Sequence, residues 1–142
     1  LKLLGSRAHR AVGVDIDADA RQLARAELLL AGVENCSLRH GDMYELPFAD
    51  GEFDTVILDD VLGDARQPMV AIGEASRILK PGGRLLVLAQ VRDGELDDIR
   101  KRIAVWCGAS GLRLAPPRQI PSKSPRWLLA VASAAGDETA AA

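Results

Sequence analysis

Two hydrophobic periods alternate along the chain, and the switches between them mark its elements. A short apolar run over residues 11–14 ends at Asp15 and reads as a strand. An alanine- and leucine-rich stretch follows, which Asp17 or Asp19 can cap by accepting the amide protons that open a helix, and Gly32 stops it. Residues 36–39 form a second short strand that ends at His40-Gly41-Asp42. In Pro47-Phe48-Ala49-Asp50-Gly51 the Asp-Gly pair reads as a turn, and the apolar run over residues 55–58 is the third strand. After Pro68, the positions Met69, Ile72, Ala75, Ile78 and Leu79 recur at helical spacing until Lys80-Pro81-Gly82-Gly83 ends the helix sharply. The continuous apolar run over residues 85–89 reads as a strand covered on both faces. Leu96, Ile99, Ile103 and Trp106 predict an amphipathic helix that closes near Gly111. Residues 112–114 and 127–132 are two last strands, separated by a proline-rich loop over residues 116–125.

Strands that alternate with helices imply right-handed crossovers, so the expected architecture is a Rossmann-like α/β fold, a mostly parallel sheet with helices on both faces. The two closing strands lack a helix between them and predict an antiparallel hairpin at one edge. A chain of 142 residues has room for one hydrophobic core, which assigns residues 1–135 to one domain and residues 136–142 to a small, polar, disordered tail. The opening Leu1-Lys2-Leu3-Leu4-Gly5 reads as the last turn of a helix capped by Gly5, as though the sequence begins inside a longer protein.

Composition narrows the function classes. With 48% hydrophobic and 27% charged residues the chain is neither fibrous nor disordered. At 4% aromatic residues it offers no stacking platform for single strands, and 18 basic against 20 acidic residues make this segment a poor nucleic-acid binder. Cys36 and Cys107 match neither a ligand pair nor a disulfide framework, which favours two free thiols in a reducing compartment. No apolar run approaches the roughly 20 residues a membrane helix needs, so a cytoplasmic protein is expected.

In an open α/β sheet, ligands bind beyond the carboxyl ends of the strands. Here those positions hold Asp15, Asp42, Asp59 with Asp60, and Gln90. A carboxylate at the first position can accept both hydroxyls of a ribose, although Asp15 equally suits a helix cap or an exposed turn. Asp42, after Gly41, can accept the exocyclic amine of adenine while the Met43 amide meets a ring nitrogen. Ile16 can lie under the purine, and ordinary packing accounts equally well for Ile16 and Met43. Asp59 and Asp60 suit paired acid–base work or a hard cation, but only Gln90 ends the next strand, so no metal site is expected. Asp97-Asp98 is a solvated pair at a helix start. His9 and His40 are isolated and no nucleophile elbow occurs, which leaves the catalytic residue unknown.

Four segments in order carry a resemblance: Ala11-Val-Gly-Val-Asp15-Ile16, His40-Gly-Asp42-Met-Tyr-Glu-Leu-Pro-Phe48, Gly51-Glu-Phe-Asp54-Thr-Val-Ile-Leu58, and Ala75-Ser-Arg-Ile-Leu-Lys-Pro-Gly-Gly-Arg-Leu-Leu-Val87. Together they resemble class I S-adenosylmethionine-dependent methyltransferases. More narrowly, the chain looks like the small-molecule methyltransferase-like domains that follow a winged helix in some bacterial ArsR-type regulators. The resemblance implies S-adenosylmethionine as cofactor, with Asp15 on the ribose, Ile16 on adenine, Gly41, Asp42 and Met43 at the adenine edge, and Asp59 beside the methionine portion. It also implies strand order 3-2-1-4-5-7-6, with residues 127–132 as the antiparallel strand.

Departures from the family pattern qualify the acceptor. The Asn-Pro-Pro-Tyr type motif of amino-group methyltransferases is absent, as is the Asp-Asn pair of metal-dependent catechol-type enzymes. The family's first strand and glycine-rich loop should precede Leu1, so an N-terminally truncated fold is expected. The leading expectation is methyl transfer to a small-molecule acceptor, with this chain a fragment of the catalytic domain. The alternative is a non-catalytic ligand-sensing or dimerisation domain of a transcriptional regulator, with DNA contacts confined to an upstream domain and a homodimer as its assembly. A nicotinamide dehydrogenase also places an acid at a strand end, but the Gly41-Asp42 and Lys80-Pro81-Gly82-Gly83 segments argue against it.

Overall fold

Asp17, rather than Asp19, caps the first helix: its Oδ1 accepts the amides of Asp19 at 2.8 Å and Ala20 at 3.3 Å. That helix belongs to the first of two compact units in the computed structural model, which describes residues 1–136. The first unit spans residues 1–47 and the second begins at Phe48. The tail expected over residues 136–142 lies outside the described residues except for Gly136.

In the first unit, strand β1 (Ala11–Asp15), helix α1 (Ala18–Leu30) and strand β2 (Cys36–His40) form a parallel crossover, with α1 packed over the strand pair. The register runs from Ala11 opposite Cys36 to Asp15 opposite His40. Gly32, at φ 65°, closes the helix where a side chain would be strained. The segment before β1 differs from the expected capped helix. It is a single 3-10 turn, Lys2–Leu4, and Gly5 has φ −57°, a right-handed value with no special need for glycine. What holds this segment is Asn35, whose amide donates to the carbonyls of Gly5 at 2.7 Å and Ala8 at 2.8 Å.

The second unit contains β3 (Phe53–Asp59), α2 (Pro68–Ile78), β4 (Leu79–Val91), α3 (Leu96–Ala109), β5 (Arg113–Leu114), β6 (Arg118–Ile120) and β7 (Arg126–Ser133). Its sheet has the order β3-β4-β7-β5, and β6 also pairs with β7. Strands β3 and β4 are parallel, whereas β7 runs antiparallel to β4, β5 and β6. β6 is a strand where a proline-rich loop was expected, because residues 118–120 follow Pro116-Pro117 rather than contain them and can therefore use the edge of β7.

Lys80-Pro81-Gly82-Gly83 ends α2 as expected, yet β4 begins immediately at Leu79 rather than after the glycines. Phe53 pairs with Leu79 and Thr55 with Arg84, so residues 80–83 bulge opposite Asp54. Gly82 adopts φ 73° in this bulge. A Cβ on Gly83 would stand 2.8 Å from the Lys80 carbonyl and 3.1 Å from that of Asp54, so only glycine fits without displacing backbone.

β4 is not covered equally on both faces. Leu85, Val87, Ala89 and Val91 are buried, while the alternate residues Leu86 and Leu88 are half-buried. The buried face continues through Leu128, Ala130 and Ala132 of β7; Ile72 and Ala75 of α2, which packs on β4, and Ile103 and Cys107 of α3, which packs on α2 and β5, are buried with it. Burial of each large aliphatic side chain in this layer contributes about 1.5–3 kcal/mol. Burial also pushes the Cys107 thiol up to about 11.

The expected α/β class is the one found, its strands pairing as a parallel β1-β2 pair and as a mixed sheet in which β7 is antiparallel. Among the described residues, β1 pairs only with β2 and β3 only with β4, so no described strand completes their other edges. Also among the described residues, no helix is long and apolar enough to cross a membrane.

Candidate functional site

The parallel register of β1 and β2 brings Asp15 beside His40, so the Asp15-Ile16 and Gly41-Asp42-Met43 segments leave the sheet at the same end. Of the five residues singled out in this unit, Asp15 ends β1 and the other four lie in the segments that directly follow β1 and β2. Asp15 is exposed, and its Oδ1 accepts the Asp17 amide at 2.9 Å, which folds the chain back into α1. Its Oδ2 accepts nothing from the described residues. Arg21, one and a half turns along, donates to the Asp15 carbonyl at 2.8 Å and fixes the strand end from the helix side. Ile16 is 64% exposed, so its apolar surface is available rather than spent on the core.

Gly41 is buried, and a Cβ there would lie 2.6 Å from Val14 Cγ1 and 2.9 Å from Pro47 Cδ. Its small size therefore has a packing cause: it lets the 41–47 turn lie directly on the last residues of β1. Asp42 is half-buried, and its Oδ1 accepts the Tyr44 amide at 2.9 Å while its carbonyl accepts the Glu45 amide at 3.1 Å. These bonds define a tight turn that holds Met43 at its tip.

In the second unit, Asp59 ends β3 in register with Leu88 and is exposed. Asp60 follows with φ 55°, the one described non-glycine residue in the left-handed region. Its amide donates to the Leu88 carbonyl at 2.9 Å, and its Oδ1 accepts the Gln90 amide at 3.0 Å. Asp59 and Gln90 stand on the same face of the sheet, because Gln90 is two residues beyond the partner of Asp59. No group of three or more His, Cys, Asp or Glu residues that could hold a metal ion occurs among the described residues.

Sequence reasoning named Asp60 only as part of a possible acid pair and did not anticipate its bond to Gln90. Its signal was weak: an aspartate just past a strand, one of the few side chains that tolerate the left-handed region. Arg77 was not singled out at all. It donates to both carboxylate oxygens of Glu74 at 2.8 and 3.0 Å, to Asp50 at 2.8 Å and to the Phe48 carbonyl at 2.9 Å, tying the 48–52 turn to α2. Its hydrogen bonds to Glu74 and then Asp50 raise the guanidinium further above its ordinary value. A lone arginine three residues after a glutamate on an apolar helix was the available clue.

The fold defined by these strands is that of class I methyltransferases. The YcgJ protein from Bacillus subtilis superposes with a TM-score of 0.78 at 15% identity, covering 93% of this chain and 85% of that one. An SAM-dependent methyltransferase from Methanosarcina mazei does so at 0.76 and 15% identity, covering 95% and 86%. The methyltransferase domain family matches residues 1–87, more than half of the sequence. The chain belongs to that family, and the cofactor that goes with it is S-adenosylmethionine. Demethylmenaquinone methyltransferase from Staphylococcus aureus is 37% identical over 76 residues, which cover 54% of this chain and 31% of that enzyme. The chain thus spans about a third of the length of this curated relative.

The residues present suit the adenosine half of such a cofactor. The ends of β1 and β2 supply two carboxylates with acceptor oxygens and an exposed aliphatic side chain, and the packing at Gly41 keeps the two turns close together.

Proposed function

We propose that this chain forms part of the catalytic domain of an enzyme that transfers the methyl group of S-adenosylmethionine to a small-molecule acceptor. The carrying observation is the convergence of Asp15-Ile16 and Gly41-Asp42-Met43 at the carboxyl ends of two parallel strands in register. In this reading Asp15 Oδ2 accepts the ribose hydroxyls, Ile16 lies against adenine, and Asp42 with the Met43 amide reads the adenine edge. Asp59 serves the methionine portion. Bound S-adenosylmethionine supplies an activated methyl; the protein's part is to hold donor and acceptor in line, which can account for most of a methyl-transfer rate without a dedicated base.

A small-molecule acceptor is supported by the absent Asn-Pro-Pro-Tyr type motif, by the balanced charge, and by the name of the demethylmenaquinone methyltransferase relative. The same balance of charge speaks against nucleic acid as a partner of this segment. A cytoplasmic bacterial protein and a homodimer fit the reading. The narrower likeness to domains behind a winged helix in ArsR-type regulators is part of the proposal, supported by the motif succession. The fragment reading, in which the family's first strand and glycine-rich loop are not among residues 1–135, is supported by the second edges of β1 and β3, which no described strand pairs.

Mass spectrometry of the small molecule that copurifies with the intact gene product tests the function. S-adenosylmethionine or S-adenosylhomocysteine is expected; a nicotinamide nucleotide in its place overturns the reading. Calorimetric titration of S-adenosylmethionine into residues 1–142 alone tests the fragment status, since micromolar binding by that monomer contradicts it.

A further inference from the structure

We propose that Asp60 is a positioning residue: its carboxylate clasps the Gln90 amide and so fixes the two strand ends that present Asp59 and Gln90 to the reacting part of the site. The proposal rests on the methyltransferase reading and extends it to residues for which the family motifs assign no role. Three observations converge on it. Past Asp59 the chain leaves the β3 direction, and the Asp60 amide makes the last bond of the ladder, to Leu88, at 2.9 Å. One step further along β4, the Gln90 amide is met at 3.0 Å by Asp60 Oδ1, a side chain doing what a continuing strand's carbonyl would do. Reaching that position requires the left-handed backbone at Asp60, φ 55°, which is unfavourable for a residue with a Cβ and is retained here together with the bond it permits.

The clasp spans 30 residues of sequence, so it constrains two strands and not a local turn. Asp59 precedes the clasping residue and Gln90 is the residue clasped, and both side chains are exposed on the same sheet face. With the clasp intact, the separation of a carboxylate and a carboxamide at the strand ends is set by two backbone-directed bonds. Without it, both ends are free to fray, and binding at those side chains must first order them.

The experiment compares Asp60→Gly and Asp60→Asn in the intact gene product. Glycine relieves the backbone strain but deletes the clasp; asparagine tolerates the left-handed region and keeps an acceptor oxygen. Affinity for S-adenosylhomocysteine by calorimetry, the urea midpoint, and hydrogen exchange of the peptide that carries the Gln90 amide are measured together. Expected for Asp60→Gly are faster exchange at Gln90 and an affinity loss of about threefold to tenfold at an unchanged urea midpoint, with Asp60→Asn within about twofold of wild type in all three. The proposal is overturned if Asp60→Gly keeps full affinity, if its affinity falls only as stability falls, or if Asn does not rescue. A wild-type protein with no affinity for S-adenosylhomocysteine defeats the methyltransferase reading instead, and unchanged exchange at Gln90 in Asp60→Gly then still refutes the clasp.

Discussion

The proposed function gives the Asp15 carboxylate a second job beside the one it has in its turn, and the two can be separated. Its Oδ1 accepts the Asp17 amide at 2.9 Å and shapes the turn into α1, and in the proposed function Oδ2 takes the ribose. Asp15→Asn keeps an oxygen for the Asp17 amide and places an NH₂ where the second acceptor was, so a ribose diol loses its partner and meets a donor. Asp15→Ala removes both functions. A hydrogen bond to a charged group is worth about 1.5–3 kcal/mol, so either variant should raise the dissociation constant for S-adenosylhomocysteine roughly ten- to hundredfold. The turn bond is exposed, and its loss should lower stability by only about 0.5–1 kcal/mol, in the alanine variant alone.

Calorimetry gives the affinity and urea denaturation the stability, both on the intact gene product. The diagnostic pattern is a large affinity loss in both variants with a stability loss only in Asp15→Ala. If both bind within twofold of wild type, the ribose assignment is wrong. If Asp15→Asn binds normally while Asp15→Ala weakens in step with its urea midpoint, Asp15 is a turn residue and the diol is held elsewhere.

Other expectations concern the second unit. Gly83→Ala forces a Cβ to within 2.8 Å of a backbone carbonyl and should cost about 1–3 kcal/mol, against about 1 kcal/mol for Gly82→Ala, whose φ of 73° is the only obstacle; a Gly83→Ala urea midpoint equal to wild type refutes the packing argument. Leu128→Ala empties a fully buried position between strand and helices and should lower stability by about 2–5 kcal/mol, read in the same assay. The Cys107 thiol, raised from its ordinary 9.0 to about 11 by burial, binds its proton more tightly folded than unfolded. Its contribution is fully present below pH 9 and is lost as pH rises toward 11, by about 2–3 kcal/mol in all. The stability difference between wild type and Cys107→Ala should therefore shrink between pH 9 and 11, and a constant difference contradicts the assignment.

How far the sequence could be read depended on the distance over which each signal acts. Asp17, Gly32 and the spacing of Ile72, Ala75 and Ile78 act within one or two turns, and the elements they specify lie where the pattern puts them. The bulge at residues 80–83 was not legible, because Pro-Gly-Gly announces a turn but not that strand pairing resumes on both sides of it. The alternation of buried and half-buried residues in β4 was hidden for the opposite reason: leucines and valines occupy both faces, so the sequence looks uniformly apolar. β6 carries little hydrophobic signal, since Arg118 and Gln119 leave Ile120 as its one apolar residue. The placement of Asp15 and Asp42 at a common end followed from reading two parallel strands. The Asn35, Arg77 and Asp60 ties, each spanning about 30 residues, left no periodic trace.

The groups at the strand ends decide what kind of catalysis this chain can support. Asp15, Asp42, Asp59 and Asp60 are carboxylates, and three of them, Asp15, Asp42 and Asp60, already spend an oxygen on a backbone amide that defines a turn or clasps a strand. A carboxylate engaged in this way is built to hold geometry. Transfer of a methyl from an already activated donor needs alignment more than proton removal, and alignment tolerates the loss of charge so long as the hydrogen bond survives. Base catalysis does not, because asparagine cannot take up a proton. The two amide variants therefore discriminate mechanisms: Asp60→Asn should preserve function because its oxygen still holds Gln90, whereas Asp15→Asn should fail because it offers a donor to a donor. If Asp60→Asn instead bound S-adenosylhomocysteine normally yet abolished turnover, the carboxylate would be acting as a base, and the orientation account of this site would be wrong.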